Sequence, residues 1–119
     1  METYRAVVIK NHRPEFSEFF ESVAGDEVEV GREYIGNRGW RNWLWVRHLR
    51  TGSSGWVPRQ LLTFRSDKEA VFNSAYSSKE LGAGEKEEVE VLEELNGWAW
   101  CRNQDKEKGW IPLENLKRP

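Results

Sequence analysis

Apolar and polar positions alternate along most of this chain with the two-residue period of half-buried strands. Val28 and Val30 fall on one side of a strand and Glu27 and Glu29 on the other, and Val89 and Val91 repeat this against Glu88 and Glu90. Farther along, Leu44 and Val46 alternate with Trp43 and Trp45, and Ala99 and Cys101 with Trp98 and Trp100. The aliphatic members predict a core face and the indoles an outer face, with Cys101 as a small buried hydrophobe. After the turn Thr51-Gly52-Ser53-Ser54-Gly55, Val57 returns to the core and Trp56 to the outer face, opposite Trp45 in a hairpin. Trp100 and Trp110 form the matching pair. One stretch offers a competing pattern: Ser66 to Leu95 is rich in Glu and Lys, and Ser66-x-x-Glu69 has the form of a helix capping box. Gly82, Gly84 and the Val-Glu-Val alternation favour strand there instead.

The pattern occurs twice. Residues 43–62, WLWVRHLRTGSSGWVPRQLL, align with 98–116, WAWCRNQDKEKGWIPLENL, and Arg5-Ala6-Val7-Val8 answers Glu69-Ala70-Val71-Phe72. Two units follow, 1–64 and 65–119. The offset between matching positions falls from 64 at Ala6/Ala70 to 61 at Val28/Val89, 55 at Trp43/Trp98 and 54 at Trp56/Trp110. The first unit is therefore longer in two places, before Asp26 and between Val30 and Trp43, and such insertions mark surface loops. Phe20 is expected in the core and Phe16 and Phe19 nearer a loop tip. The joint between units is only Arg65 to Glu69, without Gly or Pro. So short a linker predicts an intramolecular contact between the two units, with Phe16, Phe19, Tyr34 and Trp40 as candidates for burial there.

Composition narrows the function. The 119 residues include seven Trp and 13 % aromatics, too many for a solvated disordered chain, and their number suits two very small domains. With 18 Lys and Arg against 20 Asp and Glu, the net charge of −2 gives no field to attract nucleic acid or an anionic membrane. Residues 65–119 are the more acidic half. One Cys and two His separated in sequence make neither a disulfide nor a zinc site, and no cofactor is expected. His12 and His48 have no nucleophile beside them, so an enzyme is not expected. Gly82-Ala83-Gly84-Glu85-Lys86 lacks the spacing of a phosphate-binding loop, and the Glu85–Glu94 acidic run lacks the ligand spacing of a calcium loop. The longest early apolar run, Ala6-Val7-Val8-Ile9, is too short for a signal-peptide core or a membrane span, so a cytoplasmic setting is expected.

Ala6-Val7-Val8, a long polar loop, Gly25-Asp26-Glu27-Val28-Glu29-Val30, Trp43, and Gly55-Trp56-Val57-Pro58 resemble an SH3 domain, of a variant, prokaryotic type. Ala70-Val71-Phe72, Glu87 to Val91, Trp98 and Gly109-Trp110-Ile111-Pro112 resemble a second. The resemblance implies an all-β chain of two consecutive five-stranded barrels, each with a short 3₁₀ turn before its last strand. It also implies peptide binding, typically of proline-rich segments, on an aromatic groove beside an acidic loop. Carried over by position, the groove residues are Trp43, Trp56 and Pro58 with Glu15 and Glu18 in the first unit, and Phe72, Trp98, Trp110 and Pro112 with Glu80 in the second. The family's tyrosines fall on Val8, Lys10 and Leu61 and on Phe72, Ser74 and Asn115, so several ring walls are missing. The expected function is thus a non-enzymatic protein–protein interaction module with Trp-centred sites. Two other readings stand beside it: a bacterial module binding cell-wall peptide or glycan, and a Tudor-like reader in which Trp43, Trp45 and Trp56 cage a methylated cation.

Overall fold

The structure, a computed structural model, describes residues 2–14, 18–36 and 40–118. Among these the chain is all-β, with two single-turn 3₁₀ segments and no α-helix, so the capping-box stretch is not helical. The strands are β1 (Tyr4–Val8), β2 (Glu21–Ser22), β3 (Glu27–Glu33), β4 (Trp43–His48), β5 (Ser54–Pro58) and β6 (Leu62–Phe64). They continue with β7 (Glu69–Phe72), β8 (Tyr76–Ser77), β9 (Glu88–Leu95), β10 (Trp98–Arg102), β11 (Lys108–Pro112) and β12 (Leu116–Lys117). The 3₁₀ turns, Arg59–Leu61 and Leu113–Asn115, each follow a Gly-Trp-x-Pro strand and precede a short final strand. Proline sets up both turns, since its fixed φ suits entry to a tight turn and it has no N–H to lose.

The described strands pair antiparallel in two five-stranded sheets, ordered β5-β4-β3-β7-β6 and β11-β10-β9-β1-β12, with a small β2-β8 ribbon. Neither large sheet closes into a barrel, in contrast to the closed barrels the resemblance implied. The last strands, β6 and β12, span three and two residues, too short to carry a ladder round to the opposite edge.

The sheets do not follow the sequence repeat. β7 pairs with β3 and β6, and β1 pairs with β9 and β12, so each sheet takes its first strand from the other half of the chain. The compact units are accordingly Glu18–Ser78 and Met1–Ser17 with Lys79–Pro119, instead of 1–64 and 65–119. The physical reason lies in the supposed linker. Leu62, Thr63 and Phe64 pair with Phe72, Val71 and Ala70, and the amides of Arg65 and Ser66 both donate to the Glu69 carbonyl. Four residues between two strands are hairpin length, so the chain doubles back onto the strand it has just left.

Each unit has its own core. In the split unit Ala6, Val8, Leu81, Val89, Val91, Ala99, Cys101 and Ile111 are buried together. In the central unit Val28, Val30, Leu44, Val46 and Val57 are buried, as the alternation predicted, and so is Phe20. Phe20 lies 6.3 Å from both Phe72 and Tyr76, and Phe72 stacks on Tyr76 at 6.0 Å. The exchange thus gathers three large rings in one unit and leaves the smaller Val8 and Leu81 to the other. His48 is fully buried against Phe20, with Nε2 3.1 Å from Asp26 Oδ2. Asp26 also accepts from the Val23 amide, the main reason its carboxyl is held below the ordinary carboxylate range.

Two loops differ sharply between the units. β9 and β10 are joined by Asn96-Gly97 alone, with φ of 49° and 86°, the left-handed pair that a two-residue hairpin turn requires. The equivalent connection between β3 and β4 runs from Tyr34 to Asn42 and carries the insertion that the offsets located.

Candidate binding surface

In the central unit the β4–β5 hairpin sets Trp45 directly opposite Trp56, as the sequence predicted, with ring centroids 5.1 Å apart and the rings edge to face. Both are half-buried. The longer β3–β4 loop extends this pair: Tyr34 lies edge-on to Trp56 at 5.8 Å and against Trp40 at 5.4 Å. Tyr34 is anchored by its amide, which donates to the Trp43 carbonyl, and its hydroxyl lies so close to Gly36 that a Cβ there would meet it at 2.5 Å. Edge-to-face geometry suits rings whose edges are positive and faces negative.

A bulge adds a cation to the rings. Val30 pairs with Val46 and Glu33 with Leu44, so β3 carries one extra residue against β4. Within that bulge the Arg32 guanidinium lies 5.4 Å from the Trp45 centroid and 5.3 Å from that of Trp56. The place over two indoles that a Tudor-like cage would give to a ligand cation is therefore taken by the chain's own arginine.

In the split unit Trp100 pairs with Trp110 at 5.2 Å, again as predicted. Trp110 is only 6 % exposed, because β11 is flanked by the segment 79–81: its amide donates to the Lys79 carbonyl, and its carbonyl accepts from Leu81. Trp98 meets His12 edge-on at 5.6 Å, and His12 Nε2 lies 2.9 Å from Glu80 Oε1. The carboxylate that the resemblance offered to a ligand is thus already engaged inside the unit. Asn115, standing where the family has a ring, donates from Nδ2 to the carbonyls of Lys10 and Asn11 and pins the chain leaving β1.

The two expected grooves fare differently. Phe72 is 1 % exposed in the core of the central unit, whereas Trp98, Trp110 and Pro112 belong to the split unit. The cause is the hairpin that delivers β7 to β3. Trp43, expected on the outer face, is 5 % exposed. It pairs with Pro58, which is itself fully buried, at the enclosed end of the strand, two residues from half-buried Trp45. Trp98 and Pro112 are likewise cross-strand partners, with Pro112 buried. Glu18 is exposed, as is Phe19, which was a candidate for burial; Glu15 and Phe16 lie outside the described residues. Residues 82–86 lead into strand β9, and the amides of Gly84 and Glu85 are used by Glu87 and Asn11 side chains. Sequence reasoning missed Arg32, whose position depends on a bulge, and the His12–Glu80 pair, which joins segments far apart in the chain. It also passed over the Asn96-Gly97 turn, which the dipeptide itself signals.

The chain matches no protein-family model, no curated protein and no solved structure. Among the described residues no helix is long and apolar enough to cross a membrane, and no group of three or more His, Cys, Asp or Glu could hold a metal ion.

Proposed function

We propose that this chain is a non-enzymatic protein-interaction module of two SH3-like units, and that it binds an extended peptide or a partner's surface through the Trp face of the central unit. The observation that carries the reading is the run of four partly exposed rings, Tyr34, Trp40, Trp45 and Trp56, on one hairpin and its adjoining loop. Half-exposed indoles and phenols offer large apolar contact at low entropic cost, which is why such rings concentrate binding energy. The twofold order of strand, Gly-Trp-x-Pro, 3₁₀ turn and short last strand supports the SH3-like description. Of the two Trp pairs the central one is favoured, since Trp110 of the other is enclosed.

An amide and indole NMR titration of the whole chain with Pro-x-x-Pro peptides tests this. Saturable shifts should centre on Trp45, Trp56 and Tyr34, and Trp56→Ala should weaken binding by roughly tenfold or more, the scale of a ring at a binding hot spot. Shifts scattered over both units, or none at millimolar peptide, overturn the reading.

A further inference from the structure

The Trp face of the central unit carries the Arg32 guanidinium over its two paired indoles. Arg47, Arg50, Arg59 and Arg65 of the same unit each reach a carboxylate, on Glu29, Asp26, Glu33 and Glu27 respectively, at 3.3 to 3.6 Å. Arg32, exposed and centred over Trp45 and Trp56, has no carboxylate partner among the described residues. Its contacts are to ring faces, which hold a guanidinium in place without using its five N–H donors. The carboxylates nearest in sequence, Glu29 and Glu33, are already engaged by Arg47 and Arg59.

From this arrangement we infer that the Trp face recognises an extended peptide segment bearing an aspartate or glutamate flanked by apolar residues, with Arg32 receiving the carboxylate. This rests on the proposed function and specifies its ligand. Planar guanidinium and carboxylate match as a two-point pair, and an arginine held against indoles loses little side-chain freedom on binding. The flanking apolar residues have their counterparts in Tyr34 and Trp40, and in Ile35, which follows Tyr34 in the chain and is 93 % exposed. A cationic ligand meets the opposite situation, since it must displace Arg32 from both indoles or sit beside a like charge.

The preference is local, because the whole chain carries a net charge of −2 and exerts no long-range pull on an acidic partner. Binding is therefore expected to depend on contact, and its acid preference to weaken with salt as exposed ion pairs do.

Three capped peptides of the same Pro-Leu-X repeat, with X as Asp, Asn or Lys, test the inference by NMR titration of the intact chain. The Asp peptide should shift the indole signals of Trp45 and Trp56 and bind roughly fivefold to tenfold tighter than the Asn peptide, the worth of one charge-assisted hydrogen-bonded pair. Arg32→Ala should erase that difference while the amide spectrum stays dispersed; Arg32→Lys, which keeps the charge but not the fork, should retain part of it. Equal or tighter binding of the Asn or Lys peptide at the same indoles overturns this inference alone and leaves the interaction-module reading standing. Absence of indole shifts with all three peptides overturns both.

Discussion

A single buried thiol shows how much one residue's surroundings decide. Cys101 lies fully enclosed in the core of the split unit, and burial alone pushes its pKa up to about 12. The thiolate is the reactive form, so Cys101 should resist alkylation in the native chain and label only at the rate at which that unit opens. Rapid labelling of the folded protein, followed by mass spectrometry, would contradict this placement. Tyr4 offers a pH-dependent counterpart. Partial burial and the hydrogen bond its hydroxyl gives Glu94 raise its pKa from 10.0 to about 12, although Arg118, 3.8 Å from the ring, opposes the shift. A pKa raised on folding means the neutral phenol is favoured in the native state. Its stabilisation is whole below pH 10 and is lost as pH rises through about 12. An ultraviolet titration of the wild-type chain against Tyr4→Phe should assign to Tyr4 a phenol ionising near pH 12, and Tyr4→Phe should flatten the alkaline limb of a stability profile. Of the two only Cys101 was legible, since alternation put it inside, whereas Glu94 lies ninety residues from Tyr4 in the chain and no local pattern joins them.

Among the elements, the edges of the two hairpins matter most. Where β11 passes the segment 79–81, a Cβ on Gly109 would stand 2.7 Å from the Leu81 amide nitrogen and 2.9 Å from the Glu80 carbonyl carbon. The equivalent Gly55 on β5 meets no backbone among its nearest contacts, only the buried Phe20 ring at 2.9 Å and the Ser78 side chain at 3.4 Å. Gly109→Ala should therefore cost about 1–3 kcal/mol, as overpacking against backbone does, and Gly55→Ala less; paired denaturant melts compare them. The repeat already hinted at this equivalence, because Gly55 and Gly109 differ by the same 54 residues as Trp56 and Trp110. The hairpins and their paired tryptophans could be read from the sequence because a strand's period and a turn's length are local. The bulge that brings Arg32 to the indoles could not, since it is a property of two strands together.

At the level of the whole molecule, the exchange of first strands makes the central unit continuous in sequence and the outer one discontinuous. A fragment of residues 18–78 contains every strand of its sheet and should fold alone with dispersed amide signals, whereas 1–64, which lacks β7, should not. The reverse result, a folded 1–64 and an unfolded 18–78, would mean that the strands pair by repeat. The all-β class, the duplication, the inward and outward face of most strands and the cross-strand tryptophan pairs could be read along the chain, because they depend on periods of two residues and on turns of a few. Which first strand completes which sheet could not, since it is settled by long-range pairing. Ala6-Val7-Val8 and Ala70-Val71-Phe72 carry the same apolar pattern and could satisfy either partner. The choice follows from the four-residue hairpin after β6, and it brings the Phe72 ring to Phe20 and Tyr76. The same long-range pairing enclosed Trp43 and Trp110, engaged Glu80 with His12, and set Arg32 over Trp45 and Trp56 with no carboxylate partner among the described residues.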